Sequence, residues 1–423
     1  MRAVARSRSD VMVGRACAFL IAAAQDRKPV GGWTHNFYRY PARFSPRFAR
    51  AAILAFSNPG DTVFDPFMGG GTTLVEAAVT GRRSAGTDIN PLALFVARVK
   101  TTPLSESEIT EIEQWGQALV GDLKLRNGVT RPIESTWQGY DRNISDRKTW
   151  PIRKTLELAL MHVRRLGNWR IQQFARCVLL RSGQWALDCR STIPSATQFR
   201  WRFLKFLEEM AADAREYTHA LNSGIDLDKN RNLLAPVCLS RSVIGVEKEE
   251  QLASHFPPAL ILTSPPYPGV HVLYHRWQVQ GRRETPAPFW IVGSPDGNGA
   301  SYYTFGDRKQ RGLASYYELL LRAYRSLARI SDANTLMVQL VAFSDPSWQL
   351  PKLLNILRDA GFREIKLTPS ANSDDSRVWR SVPHRKWYAE ANTRVLSSRE
   401  VVLVHAPVGA GASHGNSTFA RRL

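Results

Sequence analysis

Residues 62–73 read Thr-Val-Phe-Asp-Pro-Phe-Met-Gly-Gly-Gly-Thr-Thr, a short apolar run followed by a turn with three consecutive glycines. The run 62–65 predicts a buried strand, and residues 72–78 predict a helix. Residues 83–88 predict a second strand. A second helix is expected over 91–100, and it begins with a proline, whose missing N–H would have no partner in a first helical turn anyway. This strand–helix alternation is typical of an α/β fold with a parallel sheet.

The same alternation returns in the second half of the chain. The predicted elements there are strands at 259–263, 336–343, 362–367 and 400–405 and helices at 316–330 and 350–360. The stretch between the halves carries helical patterns such as Phe199/Phe203/Leu207 and few strand candidates. We therefore divide the chain into an N-terminal extension (1–32), an α/β domain in two pieces (33–100 and 236–407), a mainly helical insertion (101–235) and a loose tail (408–423).

Charge is the unusual feature of the composition. The chain has 423 residues with 57 Lys and Arg against 37 Asp and Glu, a net charge of +20. Residues 141–205 hold 14 basic and 4 acidic residues, half of that net charge. Such an excess attracts polyanions, nucleic acid above all. The predicted phosphate contacts in this window are Arg147, Lys148, Arg153, Lys154, Arg164 and Arg165.

Other classes of protein are excluded by composition. No apolar stretch approaches the roughly 18 residues of a membrane span, and residues 1–30 predict an added surface helix rather than a targeting peptide. The four cysteines form no C-x-x-C pair and have no histidine at zinc-ligand spacing, so neither a metal site nor a disulfide framework is expected. A cytoplasmic protein, associated with the nucleoid, fits these features.

The glycine turn suits a nucleoside-bearing ligand. Glycines let a backbone approach a ligand closely, and the following helix start offers N–H groups to an anion. No lysine follows the glycines as in a Walker loop, and the dinucleotide spacing G-x-G-x-x-G is absent. Asp88 lies 23 residues after Asp65 at the end of the next strand, where an acid can hold both hydroxyls of a ribose. A tight structural turn is the alternative.

A second motif follows the strand 259–263. Residues 263–267 read Thr-Ser-Pro-Pro-Tyr. The two prolines hold the backbone extended, carbonyl oxygens are available as acceptors, and an aromatic ring stands at the carboxyl end of the sheet. Acceptors beside a stacking ring suit a planar amine, although a rigid turn would also explain the motif.

Together these residues resemble a known family. DPFMGGGTT (65–73) with GTDINP (86–91) resembles the S-adenosylmethionine motifs of DNA amino-methyltransferases, and TSPPY (263–267) resembles their catalytic motif in cytosine-N4 enzymes. HNFYRYPARF (35–44) is similar to the family's accessory segment beside the methionine end of the cofactor. The resemblance implies a class I methyltransferase fold, with a seven-stranded, mostly parallel sheet flanked by helices and a final antiparallel pair of strands.

The resemblance also implies residue roles. Ser264 and the Pro265 carbonyl would accept hydrogen bonds from the target amine, Pro266 completes the motif, and Tyr267 would stack on the extruded base. S-adenosylmethionine would be bound by Asp65, Phe67, Gly69, Gly71, Thr72, Asp88, Ile89 and Pro41. One departure is that residues 237–241, Val-Cys-Leu-Ser-Arg, lack the acid usual before the catalytic strand, which leaves the contact to the adenine amine in doubt.

The expected function is methyl transfer to cytosine N4 in a specific sequence of double-stranded DNA, related to restriction and modification. Adenine N6 of DNA, an RNA amine and a non-catalytic DNA-binding protein stay as alternatives. The sequence leaves open whether the protein has a cognate restriction endonuclease as a partner. C5 methylation is excluded because no cysteine follows a proline in the catalytic segment. The helical insertion occupies the place of a target-recognition region. Residues 275–277 and 282–284 would either clamp DNA or form a packed loop.

Overall fold

The structure, a computed structural model, describes residues 8–26, 30–40, 45–123, 139–223, 235–267, 276–281, 283–297, 305, 313–365, 377–381 and 399–408. Its helices are α1 (Arg8–Gln25), α2 (Pro46–Phe56), α3 (Thr72–Val79), α4 (Pro91–Thr101), α5 (Glu106–Asp122), α6 (Trp150–Val163), α7 (Trp169–Leu187), α8 (Ala196–Ser223), α9 (Ala287–Val292), α10 (Leu313–Arg329) and α11 (Pro346–Asp359). The strands are β1 (Thr62–Asp65), β2 (Arg83–Asp88), β3 (Val237–Ser240), β4 (Leu260–Thr263), β5 (Trp277–Val279), β6 (Arg283–Thr285), β7 (Leu336–Ala342), β8 (Phe362–Ile365), β9 (Val378–Ser381) and β10 (Arg399–Pro407).

The main sheet has the order β3-β2-β1-β4-β7-β10-β8. The first five strands in this order are parallel, whereas β10 runs antiparallel to both of its neighbours in the order. This order confirms the class I methyltransferase fold. The order contains seven strands, as predicted, and an eighth described strand, β9, pairs with β10 outside this order. β10 is nine residues long, so its outer edge has room for β8 at one end and for β9, paired with residues 399–402, at the other.

The sequence patterns located the elements of the sheet well, with differences at some ends. The helix expected at 350–360 begins earlier, at Pro346, because the Asp345 carboxylate accepts the N–H of Ser347 at 3.1 Å and caps it. The sequence patterns did not mark α2, α5, α7, α9, β3, β9 or the β5–β6 hairpin as separate elements.

Two apolar clusters cover the faces of the sheet. One joins α1 and α2 to the sheet and includes Leu20, Phe48 and Ile53, and the other joins α10 and α11 to the opposite face. The described part of the N-terminal extension is therefore a helix packed on the α/β unit, as expected. No helix in the described ranges is long and apolar enough to cross a membrane.

The helical insertion shares a core with the α/β unit. A third cluster runs from α5–α8 through α4 and residues 37–40 to α9, and it buries Phe199, Phe203 and Leu207 as predicted. Trp277 of β5 lies at the centre of this junction. Its indole contacts Gly183 of α7 so closely that an added Cβ would lie 2.6 Å from the ring, and its N–H donates to the Tyr38 hydroxyl at 3.0 Å. The limits of the domains stay a prediction.

Candidate active site

The predicted site residues lie at the ends of three neighbouring strands, at one edge of the sheet. β2, β1 and β4 are adjacent and parallel, and they end at Asp88, Asp65 and Thr263. Loops that leave the carboxyl ends of adjacent parallel strands meet at the same edge, which is where open α/β sheets bind ligands. The glycine turn and the Thr-Ser-Pro-Pro-Tyr segment are thus next to each other in space.

Asp65 joins these two motifs. Its carboxylate accepts the hydroxyl of Thr263 at 2.8 Å, the hydroxyl of Thr73 at 2.6 Å and the N–H of Phe67 at 3.1 Å. Burial raises the pKa of the Asp65 carboxyl to about 6, although the three hydrogen bonds lower it. Asp65 therefore connects the start of α3 to the end of β4. Its hydrogen bond with Thr263 joins two residues that are 198 positions apart in the chain.

The glycines keep the turn open and close to its neighbours. Gly69 and Gly71 have φ of 46° and 74°, which side chains rarely adopt. At Gly70 a Cβ would lie 2.8 Å from the Cβ of Tyr40. Gly71 is the N-cap of α3 and supplies no side-chain cap, so the first N–H groups of that helix are available to an anion such as a carboxylate.

Asp88 lies at the end of β2 and binds the backbone of the glycine turn. One carboxylate oxygen accepts the N–H of Gly69 at 3.0 Å and the other accepts the N–H of Asn90 at 2.8 Å. These bonds leave some acceptor capacity on the carboxylate, and residue Asp88 is partly exposed. Burial raises the pKa of the Asp88 carboxyl to about 6, while bonds from the backbone of Asn90, Gly69 and Ile89 lower it. The turn, the uncapped helix start and Asp88 together fit a nucleoside that carries a carboxylate.

The accessory segment is held against the glycine turn by buried polar contacts. The Glu76 carboxylate of α3 pairs with the His35 ring at 2.7 Å and with Arg50 at 2.7 Å. The Tyr40 hydroxyl accepts the amide N–H of Asn90, the residue that follows the Asp88–Ile89 pair, at 3.1 Å. Ile89 itself is partly exposed and Thr72 is buried. Pro41, the remaining cofactor candidate, lies outside the described residues.

The predicted catalytic segment contacts β7 and the helix α10. The Ser264 and Tyr267 hydroxyls are 2.7 Å apart, and Ser264 lies 3.2 Å from the carbonyl oxygen of Leu340 in β7. Pro265 is buried, and the Pro266 carbonyl accepts the hydroxyl of Tyr316 at 2.5 Å. Ser264 and Tyr267 are both partly exposed, so they border the open edge.

Two residues at this site have no motif that marks them. The Tyr267 hydroxyl donates to the Glu400 carboxylate at 2.9 Å, and Arg380 binds the other Glu400 oxygen at 2.6 Å. Glu400 is the second residue of β10, and Arg380 lies opposite it in β9. Because β10 is antiparallel to β7, its first residues lie at the same edge as the ends of the parallel strands. That placement could have been found only from the pairing of the strands.

The segment that lacks the usual acid ends beside Asp88. Ser240 pairs with Asp88 in the β2–β3 register, and the N–H of Arg241 donates to the Asp88 carbonyl at 3.0 Å. The guanidinium of Arg241 binds the Glu249 carboxylate. Cys238 is buried, and burial raises the pKa of its thiol to about 12, which fits the core role expected for it rather than that of a nucleophile.

The six predicted phosphate contacts fall into two groups. Arg153 and Lys154 are partly buried on α6, where Arg153 pairs with Asp141 at 3.2 Å and Lys154 with Glu157 at 3.4 Å. The other four are exposed, and the described residues show no ion pair for them: Arg147, Lys148, Arg164 and Arg165. Only this second group presents uncompensated positive charge to solvent.

The described residues that follow the catalytic segment form a packed hairpin. Arg276 pairs with Asp296 at 2.7 Å and with Glu284 at 3.4 Å, and Trp277 is buried. Arg283 is half exposed and lies 3.7 Å from Asp146. The packed-loop interpretation thus fits these residues, while 275 and 282 lie outside the described ranges. No cluster of three or more potential metal ligands is found in the part of the chain that the structure describes.

Comparison with known proteins supports the cofactor side of the site. Residues 23–97 match the family model N6_N4_Mtase, described as DNA methylase. This stretch contains α2, β1, α3, β2 and most of α4, and hence the glycine turn and Asp88. The catalytic segment at 263–267 lies beyond the match.

Two curated relatives cover short stretches of the chain. A Type II methyltransferase, M.MvaI from Kocuria varians, is 39% identical over 80 residues, 18% of this chain and 18% of that protein. The orphan methyltransferase M.BamHII from Bacillus amyloliquefaciens is 49% identical over 53 residues, 12% of this chain and 20% of its own length. The matches thus span a fifth or less of these relatives.

Among solved structures, TrmN from Thermus thermophilus aligns with 88% of this chain and 53% of its own, at 14% identity and a TM-score of 0.29. So low a score adds nothing to the strand order, which establishes the fold by itself.

Proposed function

We propose that this protein is a DNA methyltransferase that uses S-adenosylmethionine and methylates an exocyclic amine, N4 of cytosine. One observation carries the proposal: Asp65 binds the end of the catalytic strand at Thr263 and the start of the cofactor helix at Thr73. An acceptor for an amine therefore lies beside a turn fitted to a nucleoside with a carboxylate. The match of residues 23–97 to a DNA methylase model supports the same conclusion.

The cofactor would be held by this chain's own groups. The uncapped start of α3 would receive its carboxylate, and the partly exposed Asp88 would accept the ribose hydroxyls. When bound, the cofactor supplies a methyl group on a sulfonium, which is already reactive toward an amine. The remaining task of the protein is to position the amine for in-line attack.

Ser264 and the Pro265 carbonyl would position the amine. Its lone pair is delocalised into the ring of the base, and hydrogen bonds accepted by these two oxygens would draw the nitrogen toward tetrahedral geometry. No covalent intermediate is needed. Tyr267 would stack on the extruded base, with its hydroxyl anchored to Glu400 at 2.9 Å.

Cytosine N4 is preferred because a serine precedes the two prolines, whereas Asp or Asn more often does so in adenine-N6 enzymes. The DNA methylase model does not distinguish the two bases. We further propose that the exposed Arg147, Lys148, Arg164 and Arg165 contact the phosphates of double-stranded DNA. The same proposal includes a cognate restriction endonuclease as a partner, as in a Type II system.

The test is methyl transfer from labelled S-adenosylmethionine to duplex DNA, followed by nucleoside digestion and mass detection. N4-methylcytosine is the expected product. Detection of N6-methyladenine would show that adenine is the methylated base instead. Transfer to tRNA in preference to DNA would support an RNA amino-methyltransferase. If calorimetry showed no binding of S-adenosylmethionine, the non-catalytic alternative would replace the proposal.

A further inference from the structure

A chain of four polar side chains leads from the antiparallel edge of the sheet to the candidate site. Arg380 binds one oxygen of Glu400 at 2.6 Å, and the other oxygen lies 2.9 Å from the Tyr267 hydroxyl. That hydroxyl lies 2.7 Å from the hydroxyl of Ser264. Glu400 is 5% exposed, whereas Ser264 and Tyr267 border the open edge. The chain thus connects a buried ion pair to the group that would receive the amine.

The ion pair fixes the direction of the hydrogen bond between Tyr267 and Glu400. A carboxylate can only accept, so Tyr267 must donate its one proton to Glu400. The Tyr267 oxygen is then left as an acceptor for Ser264. The Ser264 proton therefore points into the protein, either to Tyr267 or to the Leu340 carbonyl at 3.2 Å. In both arrangements the serine oxygen keeps its lone pairs for a ligand at the open edge.

We propose that Glu400 is a positioning residue, held by Arg380, that acts through Tyr267 to orient the Ser264 hydroxyl as an acceptor for the target amine. This inference rests on the proposed function. Hydrogen bonds in a chain polarise one another, so a serine that donates toward a carboxylate is a better acceptor on its other side. The proposal gives the Tyr267 hydroxyl a task that is separate from the stacking of its ring.

Replacing Glu400 by Gln tests the direction of the bonds with little change in shape. The amide has one acceptor and one donor group, and Arg380 binds the acceptor because a guanidinium can only donate. The NH₂ group then faces Tyr267 and turns the tyrosine proton toward Ser264. We expect Glu400→Gln to lower kcat by about tenfold, the size of one hydrogen bond, and to leave the Kd for S-adenosylmethionine unchanged.

A second ion pair, on the strand β8 that pairs with the same side of β10 as β9, supplies the matched control. Arg377 binds both oxygens of Glu364 at 2.7 and 2.8 Å, and Glu364 lies opposite His405, five positions along β10 from Glu400. Glu364→Gln removes a comparable carboxylate without touching the chain to Ser264. We expect it to keep the kcat of the parent protein.

A double-mutant cycle with Tyr267→Phe separates positioning from a structural role. Phenylalanine keeps the ring but removes the hydroxyl that connects Glu400 to Ser264. Under the proposal, Glu400→Gln/Tyr267→Phe is no slower than Tyr267→Phe alone. Glu400→Asp, which withdraws the carboxylate from Tyr267, takes the place of Glu400→Gln in the cycle if the latter does not fold.

Three results overturn the inference: additive losses in the cycle, parent-like kcat for Glu400→Gln, or an equal loss for Glu364→Gln. These all require an active parent protein. A parent that transfers no methyl group to DNA contradicts the proposed function itself, so the two failures are distinguishable.

Discussion

The sheet edge and the surface of the helical insertion differ in how far local sequence determines them. At the sheet edge, glycines, prolines and strand ends constrain the backbone, so side chains such as Asp65 and Asp88 lie where the motifs predict. On the insertion, two basic pairs look equivalent in sequence. Arg153 and Lys154 are compensated by acids, whereas Arg164 and Arg165 are exposed at the end of α6. A sequence motif therefore predicts a site that is formed by constrained backbone better than charge composition predicts a binding surface.

The strongest test of the sheet edge is Ser264→Ala. It removes the side-chain acceptor for the amine, so methyl transfer should fall by about 10²–10³-fold, the usual cost of one catalytic hydrogen-bonding group. The Kd for S-adenosylmethionine, measured by calorimetry, should stay unchanged. Ser107→Ala, at an exposed position of α5, is the control and should retain activity. An active Ser264→Ala protein would remove this serine from the mechanism.

Tyr267→Ala distinguishes base stacking at the sheet edge from charge at the insertion. Loss of stacking costs about 1–3 kcal/mol, so turnover should fall by up to about a hundredfold. The slope of log affinity for DNA against log salt should not change, because no charge is removed. Turnover and binding are measured on the same duplex over a series of salt concentrations. A reduced slope would mean that Tyr267 acts outside the base pocket.

The two basic pairs, one within α6 and one directly after it, provide the matching test of the insertion. Arg164→Ala/Arg165→Ala should weaken DNA binding by about tenfold or more and lower the salt slope by about 1.8, since each phosphate contact contributes about 0.9. Arg153→Ala/Lys154→Ala should leave the slope unchanged because acids already compensate these charges. Equal slopes for both variants would mean that α6 is not the DNA surface.

A change of pH should affect the two regions differently. Burial raises the pKa of Asp88 to about 6, and only its ionised form accepts both ribose hydroxyls. Affinity for S-adenosylmethionine should therefore be full above pH 7 and fall about tenfold by pH 5, as the carboxylate takes up a proton. Arginine does not titrate in this range, so the salt slope for DNA should stay constant. Asp88→Asn should bind weakly at every pH, and calorimetry from pH 5 to 8 gives both curves.

The sequence predicted most strands of the sheet but only some of the residues at the candidate site. Strands such as β2, at 83–88, were located because hydrophobic runs and turn residues are local signals. β9 was not predicted, because residues 378–381 pair with β10 through register rather than through any pattern of their own. The functions of Ser264, Tyr267 and the phosphate contacts stay predictions.

By itself, the sequence determined the class of fold and the place of the nucleoside turn, because glycine and proline restrict φ and ψ wherever they occur. Only the tertiary structure decided which groups surround these motifs. Glu400 reaches Tyr267 across 133 residues of chain, and Trp277 joins the helical insertion to Tyr38 across 239. Such contacts depend on which strands and helices lie side by side, and a hydrogen bond or ion pair forms only where packing brings both partners within about 3 Å.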